Sequence, residues 1–118
     1  MVSEHETRYS VENINDIEPQ PCPCGMTRRA FTDDPDQIAS LHVVDITENA
    51  QTHYHKKMTE IYYVLEGIGQ MELDGNRYDV APGSTILIKP GCRHRAIGNL
   101  KILNMPVPAF DPDDEWFD

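Results

Sequence analysis

QTHYHKKMTEIYYVLEG, residues 51–67, is the stretch that decides how this chain is read. His53 and His55 stand two residues apart. Side chains of an extended backbone alternate with period two, so both imidazoles leave the same face. After the polar break Lys56-Lys57-Met58-Thr59 comes Glu60, which opens the run Ile61-Tyr62-Tyr63-Val64. β-Branched and aromatic residues of this kind favour strands. If the second strand folds back beside the first as a strand pair, the Glu60 carboxylate faces the same point as the two imidazoles. Gly67 closes the strand where the chain turns again.

Two neutral nitrogen donors and a hard anionic oxygen suit a divalent transition metal, of which Fe, Mn, Ni and Zn are the candidates. His94 is the fourth donor; it follows Pro90-Gly91-Cys92-Arg93 and starts an expected strand over residues 94–98. One histidine on a strand is more often structural than a ligand. Four donors brought together by strand periodicity make ligation by His53, His55, Glu60 and His94 the stronger reading. His5, in a polar arm, and His42, in the strand before the motif, lack such companions and read as structural.

These residues carry a family resemblance. His53-x-His55-x4-Glu60-x6-Gly67 resembles the first motif of the cupin superfamily, and Gly83-x5-Lys89-x-Gly91-x2-His94 resembles the second. Lys89 stands where the second motif usually has proline, Pro90 being shifted by one, and Asn99 comes one residue late. The resemblance spans residues 51–99. It implies a small single-domain (cupin 2-like) protein with an all-β, antiparallel jelly-roll barrel. Relatives by this resemblance include dioxygenases, sugar isomerases, epimerases and proteins without assigned activity.

The rest of the chain reads independently as all-β. Residues 41–46 form an expected strand with apolar residues on both faces, as inside a sandwich, and residues 47–50 lead from it into the motif. Residues 28–31 suggest a short first strand, followed by a turn over 32–36. Residues 69–73 and 77–80 flank Asp74-Gly75-Asn76, a hairpin signal. Residues 85–88 make another strand, and residues 101–105 with Val107 a last one broken by Pro106 and Pro108. Short strands at this spacing indicate a sandwich or barrel. The expected division is an amino-terminal arm and linker over 1–35, a barrel over 36–108 and an acidic tail over 109–118. Residues 19–25 are the linker, and Cys22-Pro23-Cys24 within it reads as inert, since zinc sites usually pair such spacings with nearby ligands. Trp116 and Phe117 would pin the tail to the body or to a second subunit.

The chain has 118 residues, 20 acidic against 10 basic, for a formal charge of -10. Such a surface repels phosphate backbones, so nucleic acid is not the expected partner. The amino terminus MVSEHETRYS lacks a basic patch and apolar core, and no apolar run is long enough to span a membrane. Three cysteines form an odd set, which argues against a disulfide framework and for a cytoplasmic protein.

Within the expected barrel, Tyr62 shares the inward face of Glu60 and stands as a candidate catalytic residue whose phenol would hydrogen-bond a ligand; a core aromatic is the competing reading. Arg93, beside His94, is the second candidate catalytic residue. Met71, Ile88, Ala96 and Met105 would form apolar walls. Lys56, Lys57, Lys89, Arg93 and Arg95 lie within five positions of a ligand and would steer an anionic substrate, unless they are simply solvated. Cys92 reads as an inert loop thiol, and no inward carboxylate beyond the ligand set is evident. Ile61, Tyr63 and Leu65 would face outward, which predicts a homodimer through this sheet. The expected function is a metalloenzyme acting on an anionic or hydroxylated small molecule, of dioxygenase or isomerase/epimerase type. The alternative is a non-catalytic, metal-dependent binding or sensing module.

Overall fold

The computed structural model describes residues 8–47 and 50–118; His5 and the Glu48-Asn49 approach to the motif lie outside them. Among the described residues nine strands follow in order: β1 (Gln20–Cys22), β2 (Gly25–Ala30), β3 (Leu41–Ile46), β4 (Thr59–Gly67), β5 (Gly69–Leu73), β6 (Asn76–Val80), β7 (Thr85–Ile88), β8 (His94–Ile97) and β9 (Leu100–Val107). A six-stranded sheet has the order β1-β2-β3-β9-β4-β7 and a three-stranded sheet the order β6-β5-β8. Every strand pair is antiparallel.

Period-two alternation sorts the side chains. In β4, Glu60, Tyr62 and Val64 are buried, while Ile61, Tyr63 and Leu65 are exposed, as the sequence predicts. In β9, Leu100, Ile102, Asn104 and Pro106 point inward. Val44 and Ile46 from β3 and Tyr62 and Val64 from β4 meet Met71, Val80 and Ala96 of the smaller sheet in one core. Gly67 sits at φ 93°, where an added Cβ would stand 2.2 Å from the Asn99 carbonyl oxygen, so only glycine lets β4 end against that backbone.

Three expectations are corrected. Residues 19–25, expected as a linker, supply β1 and the start of β2, so the short strand expected over 28–31 is the end of a longer β2 that extends the larger sheet. β9 runs unbroken through Pro106; its ladder with β3 stops at Asn104, and beyond it Pro106 is asked only for its carbonyl, which accepts from the Ser40 N–H. The segment holding His53 and His55 does not pair with β4, whose neighbours are β7 and β9. It makes two isolated bridges instead, His53 with His94 and Tyr54 with Trp116. The tail is thus pinned to the body through Trp116, and residues 112–114 form a 3-10 turn begun by Asp111, whose side chain accepts from the Asp113 N–H.

Candidate metal centre

Three separate segments bring four donors together. The bridge between residue 53 and residue 94 carries reciprocal backbone hydrogen bonds of 3.1 and 2.9 Å, which fix His53 beside His94 at the start of β8. His55 follows two residues on, and Glu60 comes from the inward row of β4. His53, His55, Glu60 and His94 are all buried, and one ligand atom from each lies within 4.8 Å of the others. The imidazole centroids are 4.4 to 5.4 Å apart.

Each ring is held by a backbone carbonyl at Nδ1. His53 is 3.0 Å from Gln51 O, His55 is 2.7 Å from Asp114 O and His94 is 2.9 Å from Cys92 O. A carbonyl only accepts, so Nδ1 carries the proton and Nε2 keeps its lone pair, the tautomer a metal ligand needs. Glu60 is fixed likewise: the Asn104 amide donates to Oε2 at 2.6 Å. Its Oε1 lies 2.8 Å from His55 Nε2 and 3.2 Å from His94 Nε2, yet none of the three atoms has an aligned hydrogen-bond partner. Buried polar atoms that crowd one point in ion-pair contact yet without an aligned hydrogen bond are what a divalent cation would satisfy. The residues therefore fit a divalent ion.

The electrostatics agree. Burial alone would raise the Glu60 carboxyl, but the imidazoles of His55 and His94 outweigh it and hold the group well below the usual carboxylate range. Burial, and then the neighbouring His94, draws His53 down to about 4, so it is a neutral donor near pH 7. For His55 burial pulls downward, yet Glu60 beside it leaves the ring raised.

The tail does more than the sequence indicates. The Asp114 carboxylate accepts the N–H groups of Lys56, Lys57 and Met58 at 2.9 to 3.0 Å, while its own carbonyl orients His55. One residue thus shapes the break between the two histidines and Glu60. The signal was present only as an acidic run, which does not say which acid turns inward.

Beside the donors lies a cavity with about 20 Å³ of free space, room for a single water. Tyr62 lines it, with its phenol pushed well upward by burial and then by Glu60, so it remains a hydrogen-bond donor. Glu115 also lines it, an inward carboxylate that sequence reading missed; burial raises it above its ordinary range. His42, read as structural, reaches the same cavity, with Nε2 2.8 Å from Ser40 Oγ. Arg93 stands apart: its guanidinium lies 3.5 Å over the Tyr54 ring and pairs with Asp118 at 3.0 Å. Arg95 is likewise engaged, with Glu72 at 3.2 Å. The guanidinium in the cavity wall is that of Arg29, stacked 4.1 Å over Phe110, with its Nε buried and without a partner among the described residues.

The family model described as Cupin domain matches residues 41–101. An uncharacterized protein of Methanocaldococcus jannaschii is 40% identical over 76 residues, which cover 61% of this chain and 61% of that protein. The chain thus spans less than two thirds of this curated relative. A solved structure of a protein from Planctomyces limnophilus is 39% identical with a TM-score of 0.87, covering 98% of this chain and 100% of the other. Pac13, described as a nucleoside dehydratase and solved from Streptomyces, is 20% identical with a TM-score of 0.76, covering 93% of this chain and 90% of its own. At that identity the likeness concerns the fold.

Proposed function

The chain belongs to the cupin family, and on that premise we propose that it is a metal-dependent enzyme of isomerase or epimerase type acting on a hydroxylated or anionic small molecule. The observation that carries this reading is the set of four buried donors, three of them imidazoles pinned at Nδ1. When bound, a divalent ion of the Fe, Mn, Ni or Zn type supplies Lewis-acid polarisation of a substrate oxygen. The chain supplies the rest. Tyr62 donates a hydrogen bond from its protonated phenol, and Arg29 offers its unpartnered Nε to an anionic group. Glu115 holds or releases a proton, because burial keeps its carboxyl closer to neutrality than that of a solvated glutamate. Phe110 and Glu115 of the tail wall the same space and keep it small.

Glu115 favours proton transfer over the dioxygenase reading, since a half-buried acid lining the cavity beside the donors has an evident task in the former. Dehydration, the activity named for Pac13, likewise needs proton transfer, since a C–H bond on one carbon and the C–O bond on its neighbour break as water leaves. The second reading is a non-catalytic metal-dependent binding module, and the tight cavity favours it: at about 20 Å³ a substrate enters only if the tail gives way. To separate them, the metal-loaded chain is incubated in D2O with hydroxy and keto acids and sugars while proton NMR follows the carbon next to the carbonyl. We expect deuterium to appear there, and to be lost in Glu115→Gln with metal content retained. Oxygen uptake without exchange, or no exchange across the panel, overturns the assignment.

We propose further that two copies of the chain associate through the outer face of the larger sheet. Ile61 stands directly between Leu87 and Met105 in register, and Tyr63 beside Leu103, so apolar side chains of three strands adjoin. Ile61, Leu87 and Met105 are exposed. We draw the barrel as residues 20–108, with the arm before it and the tail closing the cavity. No helix among the described residues is long and apolar enough to cross a membrane. The free thiols fit a reducing compartment, and we place the protein in the cytoplasm with a small-molecule ligand and no nucleic-acid partner.

A further inference from the structure

Cys22 closes β1 and Cys24 stands just before β2, on either side of Pro23 in the turn between them. Gly25 follows at φ 144°, where an added Cβ would stand 2.1 Å from the Asp45 carbonyl oxygen, so the turn is locked by the one residue that fits. Both thiols are half-buried, pack against the core and line the cavity that Glu60 and His53 also line. Their sulfur atoms are 2.9 Å apart. Nonbonded carbon atoms rest at about 3.5–4.0 Å, and sulfur is no smaller. Two thiolates on one tetrahedral ion, each at about 2.3 Å from it, would stand about 3.8 Å apart. The pair is therefore too close for a chelate and inside nonbonded contact, on the way to the S–S bond length of about 2.0 Å.

We propose that Cys22 and Cys24 form a reversible dithiol–disulfide couple in the wall of the metal cavity, closed by a hydroperoxide. Cys22 is the attacking thiol, because its hydrogen bond with Cys24 draws it down to about 7, whereas Cys24 is pushed up, by that same bond and then by burial, and keeps its proton. In the first step the Cys22 thiolate attacks the peroxide oxygen; an S–O bond forms, the O–O bond breaks, and the leaving oxygen takes a proton and departs as alcohol or water. In the second step Cys24 attacks the Cys22 sulfenic sulfur; the S–S bond forms, the S–O bond breaks, and hydroxide leaves as water with the Cys24 proton. Two thiols and one hydroperoxide give one disulfide, one alcohol or water and one further water. Two electrons pass from sulfur to oxygen, and a dithiol reductant reverses the change.

The test uses the full chain, reduced, desalted and treated with one equivalent of hydrogen peroxide. Free thiols should fall from three per chain to one, the intact mass should drop by two hydrogens, and peptide mapping should join Cys22 to Cys24 while Cys92 stays free. Cys24→Ser should stop at a Cys22 sulfenic acid that dimedone traps, and Cys22→Ser should leave Cys24 unmodified. Far-UV circular dichroism checks the fold of both variants; if either fails to fold, the wild-type mapping alone decides. Three surviving thiols, a bond that uses Cys92, or links between chains overturn the proposal. None of these readouts depends on metal or turnover, so this proposal and the enzymatic one fail separately.

Discussion

At the scale of single residues the candidate centre depends on groups that never touch an ion. Asn104 donates to the one Glu60 oxygen that faces away from the imidazoles. Asn104→Ala should therefore weaken divalent-metal affinity by about 10- to 100-fold while sparing the fold, measured by competition with a metallochromic chelator. His42 sets a pH dependence outside the ligand set. Burial, then Arg29, lowers it from 6.5 to about 4, so between those values the unfolded chain binds a proton that the folded chain refuses. Stability is present in full above about pH 6.5 and falls as pH drops toward 4, by up to about 3 kcal/mol from this residue. His42→Gln should flatten that part of the curve of denaturant midpoint against pH. Of the four buried donors, His53, His55 and Glu60 were legible because their spacing is short, and His94 because a second motif resembling the cupin family's ends on it, although the strand pairing expected to unite them is not the one observed. Asn104, Arg29 and Glu115 were not, because they reach the site from β9, β2 and the tail, and nothing local to them announces the meeting.

At the scale of elements, the tail behaves as part of the barrel. Asp114→Ala would leave the N–H groups of Lys56, Lys57 and Met58 without their acceptor and release the constraint on the loop before Glu60. The expected cost is about 2–4 kcal/mol, since three donors, one buried at Met58 and two part-buried, lose their acceptor at once. A drop in thermal midpoint together with weaker metal binding would bear this out; an unchanged midpoint would not. Strand existence was largely readable: β3, β5 and β7 match the expected runs, because alternation and turn residues mark them. β1 and the start of β2 were hidden by Pro21 and Pro23, which read as a linker when the pairing is unknown, although a strand was expected over 28–31. Pro106 misled in the same way, since only the structure reveals that its side of β9 needs a carbonyl acceptor there, for the Ser40 N–H, beyond the end of the β3 ladder.

At the scale of the whole molecule, the outer face of the larger sheet and the interior of the barrel make separate predictions. Ile61→Asp combined with Leu87→Asp places charge on two facing positions of that surface. Sedimentation at micromolar concentration should give a dimer for the native chain and a folded monomer for the variant; a native monomer would remove the dimer. The central claim concerns the interior. Calorimetric titration of the chelator-stripped full chain with divalent Fe, Mn, Ni and Zn tests it most directly. The account predicts one ion per chain at micromolar affinity or tighter, lost when Glu60→Gln and His94→Ala are combined. Equal binding by that double variant, or no binding by the native chain, would contradict it.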